Sequence, residues 1–167
     1  MKRLFLFALL LVLLVGHSAT ALAQKVKDGL YLIAGIDSTA AQRAVPASGI
    51  PVKYSKLFEE FKGQAQTRIV LDANEYVPLD LGKSPATTPD TKLKKKLVLT
   101  LTPAASEKLR TFTEKYLTRK VAVVVDDEVV GVHDIKEAIT NGQLQITKCT
   151  ANACERLYFK LEDNVKR

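Results

Sequence analysis

The chain is predicted to fold as an α+β domain, an antiparallel or mixed β-sheet with helices packed on one face. Three observations predict it. Short runs rich in Val, Ile and Leu recur at Leu30–Ala34, Ile69–Leu71, Leu97–Leu101, Val121–Val125 and Val129–Val132, as strands require. A helical pattern with its own start signal follows Thr102. Turn residues punctuate the intervals, and strand, helix, hairpin, turn, strand, helix is the order of a sheet covered on one face.

Ahead of this pattern lies a different kind of segment. Met1, Lys2 and Arg3 give a positive start, an unbroken apolar run extends from Leu4 to Val15, and Ala21-Leu22-Ala23 places small residues where a signal peptidase reads them. This is the order of a secretory leader, so residues 1–23 are expected to be removed by a cut before Gln24. The apolar run is shorter than the roughly 20 residues a bilayer span needs. No cysteine stands at the cut to carry a lipid. The chain that remains is long enough for one domain with a core of its own. Lys2 and Arg3 supply two of the formal net charge of +7. The balance is then moderately basic, compatible with an acidic polypeptide, a membrane surface or an envelope polyanion without choosing among them.

Leu30-Tyr31-Leu32-Ile33-Ala34 opens the domain as a strand. Residues 37–51 lack a period and contain Pro46, Ser48, Gly49 and Pro51, which predicts an exposed connection. Tyr54, Leu57, Phe58 and Phe61 fall at i, i+3, i+4 and i+7, the spacing of one helix face, which Gly63 would end. Two short strands are expected at 69–71 and 76–79, around Asp72-Ala73-Asn74. These elements make residues 24–82 the first, unassigned part of the domain. Residues 83–96 turn to Lys, Ser, Pro and Thr and predict a loop or linker. Its cluster Lys92, Lys94, Lys95 and Lys96 is a solvated face or a candidate contact for an acidic partner or anionic lipid.

The remaining residues, 97–167, carry the clearest pattern. Thr102 supplies a capping oxygen and Pro103 occupies the first helical position, where its missing N–H costs nothing. Ala105, Leu109, Phe112 and Tyr116 make the inward stripe. Val121–Val125 and Val129–Val132 flank Asp126-Asp127-Glu128 as a hairpin. Asn141-Gly142, a pair suited to positive φ, precedes the strand Leu144–Thr147, and a helical or mixed segment closes the chain from Asn152 to Leu161. Cys149 and Cys154 are expected to form a disulfide in an oxidising compartment, pinning the last strand to that segment. Redox catalysis would favour a two-residue spacing.

These last blocks, in order, are Leu99-Thr100-Leu101-Thr102-Pro103-Ala104-Ala105, Lys120-Val121-Ala122-Val123-Val124-Val125-Asp126, Val129-Val130, Ile135-Lys136-Glu137-Ala138-Ile139-Thr140-Asn141-Gly142 and Gln145-Ile146-Thr147. Over residues 97–161 the chain resembles the head part of the first periplasmic domain of the SecD and SecDF protein-export subunits. The block from Ile135 to Gly142 is the most specific part of the resemblance. There are departures: Asp127 stands where that family has Gly, so a wider hairpin turn is expected, His133 and Ala138 replace prolines, and the cysteines are outside the family pattern. The resemblance implies the fold of the head and a periplasmic surface for extended polypeptide. It does not bring the proton-driven motor, which depends on membrane helices.

The sequence is poor in catalytic parts. After the leader His133 is the sole histidine, and its neighbour Asp134 would leave the strand on the opposite face, so a Ser-His-Asp arrangement is disfavoured. His133 with the two cysteines does not have the spacing of a zinc motif, the acidic turn 126–128 reads as a hairpin tip, and no glycine-rich phosphate loop or calcium loop is present. Nucleic-acid binding is disfavoured by the export signal and by lysines without interleaved aromatics. The expectation is a non-enzymatic periplasmic binding or accessory module without metal or cofactor, touching polypeptide or an envelope complex through a sheet edge or the basic loop. The alternatives are a structural envelope protein, a small-ligand-binding domain of the same fold, or a hydrolase or isomerase that depends on His133 or the 126–128 acids.

Overall fold

Side chains of a strand leave alternately on opposite faces, and in this chain two strands are apolar on both. The computed structural model describes residues 25–37, 48–58, 68–91 and 94–165. Its elements are β1 (Gly29–Asp37), β2 (Gly49–Tyr54), β3 (Arg68–Pro78), β4 (Ala86–Thr91), β5 (Lys94–Thr100), α1 (Pro103–Lys115), β6 (Lys120–Val125), β7 (Glu128–Asp134), β8 (Gln143–Cys149) and α2 (Ala151–Val165). Strands β1-β3-β2-β7-β6 close into a barrel, and β4-β5-β8 form a separate three-stranded sheet. The pairings are antiparallel except β2 with β7, which run parallel through Lys53–Glu128 and Tyr54–Val129 and close the barrel. The α+β class with a mixed sheet is as the sequence predicts.

The alternation builds two cores. Tyr31 and Ile33 of β1 and Ala122 and Val124 of β6 fill the barrel with Val26, Val52, Ile69, Leu71 and Val129. Leu30 and Leu32 of β1 and Val121, Val123 and Val125 of β6 point the other way, into a larger core with Leu97, Leu99, Leu144 and Ile146 of the three-stranded sheet. Both helices bury their apolar stripes there, α1 through Ala105, Leu109 and Phe112 and α2 through Ala153, Leu157 and Leu161. Helix α1 starts as expected, with Thr102 Oγ1 accepting from the Ala105 N–H at 3.3 Å and Pro103 in the first turn. The disulfide Cys149–Cys154 ties the end of β8 to the first turn of α2. Both cysteines are buried.

Four local expectations change. Tyr54 does not begin a helix: it ends β2, and the Ser55 N–H continues the pairing by donating to Val129 O at 2.9 Å. Long-range pairing overrides the helical spacing of 54, 57 and 58, while Phe58 is buried all the same; Phe61 and Gly63 lie outside the described residues. Pro51, taken as a turn signal, sits inside β2, where β3 pairs on one side and β7 reaches only Lys53 and Tyr54. That is an edge position, where proline is tolerated. The two short strands at 69–71 and 76–79 are one strand, β3, whose register on β1 slips between Tyr31–Tyr76 and Ile33–Leu71. At the slip the Asn74 N–H donates to Asp72 Oδ1 at 3.0 Å. The 83–96 segment carries β4 and the start of β5, paired from Ala86–Val98 to Thr91–Lys94.

The β6–β7 turn is tight, not wide. Val125 pairs with Glu128, and Asp126 and Asp127 take φ of 54° and 62°, the mirror-image turn that suits hairpins. Aspartate tolerates this region better than most residues, and here both carboxylates have partners. Asp127 Oδ1 accepts the Val26 N–H at 2.6 Å, and Asp126 pairs with Lys160 of α2 and, at 3.8 Å, with Lys25. The Asp126 N–H donates to Asp28 Oδ1 at 2.8 Å. The acids of the turn thereby fasten the start of the domain to its far hairpin. Asp127→Ala removes an acceptor from a buried segment and places a Cβ-branching-free but turn-averse residue at positive φ; it should lower stability by about 1–3 kcal/mol in urea unfolding. Asp127→Asn keeps both the acceptor and the turn and should lose less than about half of that.

Candidate cleft beside the last strand

Strand β8 is an edge. It pairs with β5 from Lys95–Cys149 to Thr100–Gln143, and among the described strands none pairs with its other side. Along the first half of that edge runs a cleft of about 490 Å³, bordered by Gln143, Leu144 and Gln145, within the usual size of a ligand site. Leu30, Val121 and Val123 give it an apolar floor, and residues His133–Asn141 its outer wall. From Ile135 onward, past the end of β7, the wall is a segment without helix or strand, so its shape depends on where its backbone is pinned.

It is pinned at three places. At its start the Ile135 N–H donates to Arg119 O at 2.9 Å and Ile135 O accepts from the Thr118 N–H at 2.8 Å. In the middle Thr113, buried in α1, accepts the Ile139 N–H at 2.9 Å while its hydroxyl donates to Leu109 O at 2.8 Å. At its end Asn141 Oδ1 caps the Gln143 N–H at 3.0 Å, and Gly142 O accepts from the Leu101 N–H at 3.0 Å. Gly142 has φ of 63°, and a Cβ there would collide with Ser106 of α1, so glycine is required on two counts. Asn141-Gly142 thus turns the chain into β8 without joining a hairpin.

At the rim, Asp134 pairs with Lys120 directly across the β6–β7 ladder, Nζ to Oδ1 2.7 Å. The Lys120 hydrogen bond holds the Asp134 carboxyl below its ordinary value of 3.8. Lys160 does the same for Asp126, and Lys115 for Glu75 on β3, 2.8 Å away. Burial, with Tyr76 stacked at 5.0 Å, pushes Tyr31 up to about 12, so the barrel keeps a neutral phenol at every physiological pH.

The candidate residues from the sequence fall in different places. Cys149 and Cys154 are joined, as expected. Lys92 lies outside the described residues, and so does the side chain of Lys94. Lys95 and Lys96 are consecutive in β5 and therefore leave on opposite faces. Lys95 borders a shallow groove with Thr87, Cys154, Tyr158 and Phe159. The described lysines therefore do not converge on one spot. His133, expected as a lone surface residue, is half-buried and lines the cleft. Asp126, Asp127 and Glu128 are engaged with Lys160, Val26 and, at 3.4 Å, Lys53. Among the described residues no three His, Cys, Asp or Glu side chains gather to hold a metal. None of their helices is long and apolar enough to cross a membrane. The cleft itself went unread in the sequence, although the aperiodic block Ile135–Gly142 between two strands was its trace.

Two expectations follow from this geometry. Thr113→Val keeps the shape but removes the acceptor of the Ile139 N–H, and should speed hydrogen exchange at that amide and cost about 1–2 kcal/mol of stability. The depressed carboxyls of Asp134, Asp126 and Glu75 favour the folded state above the ordinary carboxylate range, and their contribution is lost as pH falls through the lowered folded values. Unfolding midpoints should therefore hold steady from neutral pH to about pH 4 and fall below it, with a shallower fall in Asp134→Asn.

Residues 56–164 match the family described as SecDF, P1 head subdomain. No curated protein matches the chain. Among solved structures it is similar to SecDF, "a membrane component … that enhances protein export", with a TM-score of 0.52 at 17% identity over 81% of this chain and 62% of that one. Similar too are SecDF in a super-membrane-facing form, at 17% identity over 96% of this chain and 32% of that one with a TM-score of 0.46, and the translocon-associated SecDF of Thermus thermophilus, at 18% identity over 86% and 20% with a TM-score of 0.46. The chain spans less than two thirds of the length of each of these proteins. The first of them shares its fold. With the family pattern running through well over half of its residues, the chain belongs to the SecDF P1 head subdomain family.

Proposed function

We propose that this protein is an exported, non-enzymatic accessory module of protein secretion that holds extended polypeptide in the cleft beside β8. The observation that carries the reading is the meeting of an unpaired strand edge with an apolar floor. A segment added along β8 would lie about 4.8 Å from it and gain main-chain hydrogen bonds from the edge. Alternate side chains would face Leu30, Val121 and Val123. This is strand addition, in which the backbone supplies affinity and alternate pockets supply selectivity. It suits a protein that meets many different chains, because the ladder reads no side chain. The pinned wall matters here, since a preformed cleft loses less entropy on binding.

The leader-like start supports an extracytoplasmic site of action, with residues 1–23 removed after Ala23 and the remainder working in the periplasm. Membership in a family whose solved relative is described as enhancing protein export supports a place beside the export machinery. The basic residues Lys92, Lys94, Lys95 and Lys96 are a second contact in this reading, toward an acidic partner or an anionic membrane surface; Lys94, Lys95 and Lys96 begin β5, at the end away from its Thr100–Gln143 pairing beside the cleft.

Binding of a labelled, unfolded secretory polypeptide, followed by fluorescence anisotropy, tests this. Gln143→Trp and Gln145→Trp place bulk at the mouth of the cleft and should each weaken binding about tenfold, about 1.4 kcal/mol, at unchanged unfolding midpoint. Lys95→Ala with Lys96→Ala should have the smaller effect. The opposite ranking would move the contact to the basic hairpin, and no binding by the unaltered protein would remove the polypeptide reading.

A further inference from the structure

At the end of β2 the chain leaves the barrel and crosses to the larger core. Ser55 is held to β7 through its N–H on Val129 O at 2.9 Å. Lys56 and Leu57 then form a turn, closed by the Phe58 N–H donating to Ser55 O at 3.4 Å, and Phe58 is buried in the larger core. Between this turn, the β6–β7 hairpin and α2 lies another cavity, of about 530 Å³. It shares no residue with the cleft beside β8 and sits at the opposite end of the β6–β7 ladder. Its floor is apolar and packed: Val125, Val130 and Leu157 are each at most 3% exposed. Its rim is charged, with Lys53, Lys56, Arg156 and Lys160 set against Asp126, Asp127 and Glu128. The three acids are already answered. Asp126 has Lys160 and Lys25, Glu128 has Lys53 at 3.4 Å, and Asp127 accepts the Val26 N–H. Lys56 and Arg156 have no acidic partner among the described residues. A buried lining group is also incompletely bonded. Ser55 is 1% exposed; its Oγ accepts the Leu57 N–H at 3.4 Å, and among the described residues nothing takes its hydroxyl proton.

We infer that this cavity binds a carboxylate carried on an apolar stem. An apolar floor beneath two uncompensated cations calls for a ligand with both parts. The planar fork of Arg156 matches a carboxylate with two parallel hydrogen bonds, Lys56 adds a point charge, and the Ser55 hydroxyl supplies a further donor. The stem lies on Val125, Val130 and Leu157. Arg156 and Lys160 stand one turn apart on the same face of α2, so the pairing of Lys160 with Asp126 leaves its neighbour directed at the same cavity without an acid of its own. The rim carboxylates set the charge of the ligand: a dianion or an anionic membrane surface would bring further negative charge against Asp126 and Glu128, and like charges brought together are costly. A cavity of this size suits a small molecule or a chain end. Two sources carry the required group, a free aliphatic acid and the C-terminus of a polypeptide that ends in an apolar residue. The site stands independently of the polypeptide cleft beside β8.

Amide spectra of the isotope-labelled protein, titrated with octanoate, test this. Octanoate should shift the amides of Ser55, Lys56, Glu128 and Arg156 and leave those of Ile139 and Gln145, beside the other cleft, in place. Octanamide keeps the stem without the charge and acetate the charge without the stem; each should bind at least about tenfold more weakly. Arg156→Gln and Lys56→Gln should each weaken octanoate about tenfold at unchanged unfolding midpoint, since both side chains are exposed. A short peptide ending in leucine, offered as free acid and as amide, separates the sources. Shifts at the cavity amides with the acid alone assign the site to chain ends, and shifts with neither form assign it to free aliphatic acids. The inference is overturned by octanamide or acetate binding as tightly as octanoate, by acid and amide peptides acting equally on the cavity amides, by shifts confined to Ile139 and Gln145, by unchanged affinity in both variants, or by no shift at about 10 mM octanoate.

Discussion

Strand β6 is shared by both cores of the molecule. Val121, Val123 and Val125 look into the core beneath the three-stranded sheet, while Ala122 and Val124 look into the barrel, and β1 and β7 flank it on either side. A strand buried on both faces has no polar side to orient it, so its register must come from elsewhere. Lys120 and Asp134 clamp one end of the β6–β7 ladder by an ion pair, and the two-residue aspartate turn fixes the other. A slip of one residue would exchange the contents of the two cores, putting valines where the alanine fits and leaving a void opposite. The anchor of Val26 on the Asp127 carboxylate, the cleft floor and the seat of α2 all take their positions from this one strand.

The larger core also explains why the cleft stays open. The floor residues Leu30, Val121 and Val123 belong to the core cluster and are themselves nearly inaccessible, so the cleft ends on packed atoms and not on a mobile surface. Its wall cannot slide, because Thr113 is buried in a helix that is itself packed through Leu109 and Phe112. A hydroxyl in the middle of a helix ordinarily bonds back to its own turn; here it does so and also receives an amide from the neighbouring segment. The hydrogen bond is small, yet it decides where an irregular stretch of eight residues lies.

Local signals in the sequence were legible wherever the structure is local. The cap at Thr102, proline in the first turn, the hairpin around Asp126-Asp127 and the pairing of Cys149 with Cys154 all depend on residues close in sequence. The block from Ile135 to Gly142 carried the family resemblance. What could not be read depends on partners far away. Tyr54 and Ser55 are strand-like because Val129 is beside them, and Pro51 is harmless because β7 does not reach it. Asp127 was expected to loosen the turn; its side chain instead receives an amide from Val26, a hundred residues earlier, a partner that no window of sequence reveals. Likewise β4 reads as a loop by composition and becomes a strand by pairing with β5, and the cleft exists only where β8, the β7 end and the block between them meet.

The three-stranded sheet ends differently on its two sides. On β4, Pro89 has no amide to donate and the ladder shifts between Pro89 and Thr91, which makes that side a poor template for another strand. On β8 no proline intervenes between Gln143 and Cys149. A sheet with a single competent edge can pair with one copy of itself, β8 to β8, and then has nothing left with which to continue. Pairing through that edge therefore stops at two copies and does not propagate into a fibre, because each such pairing is also a termination.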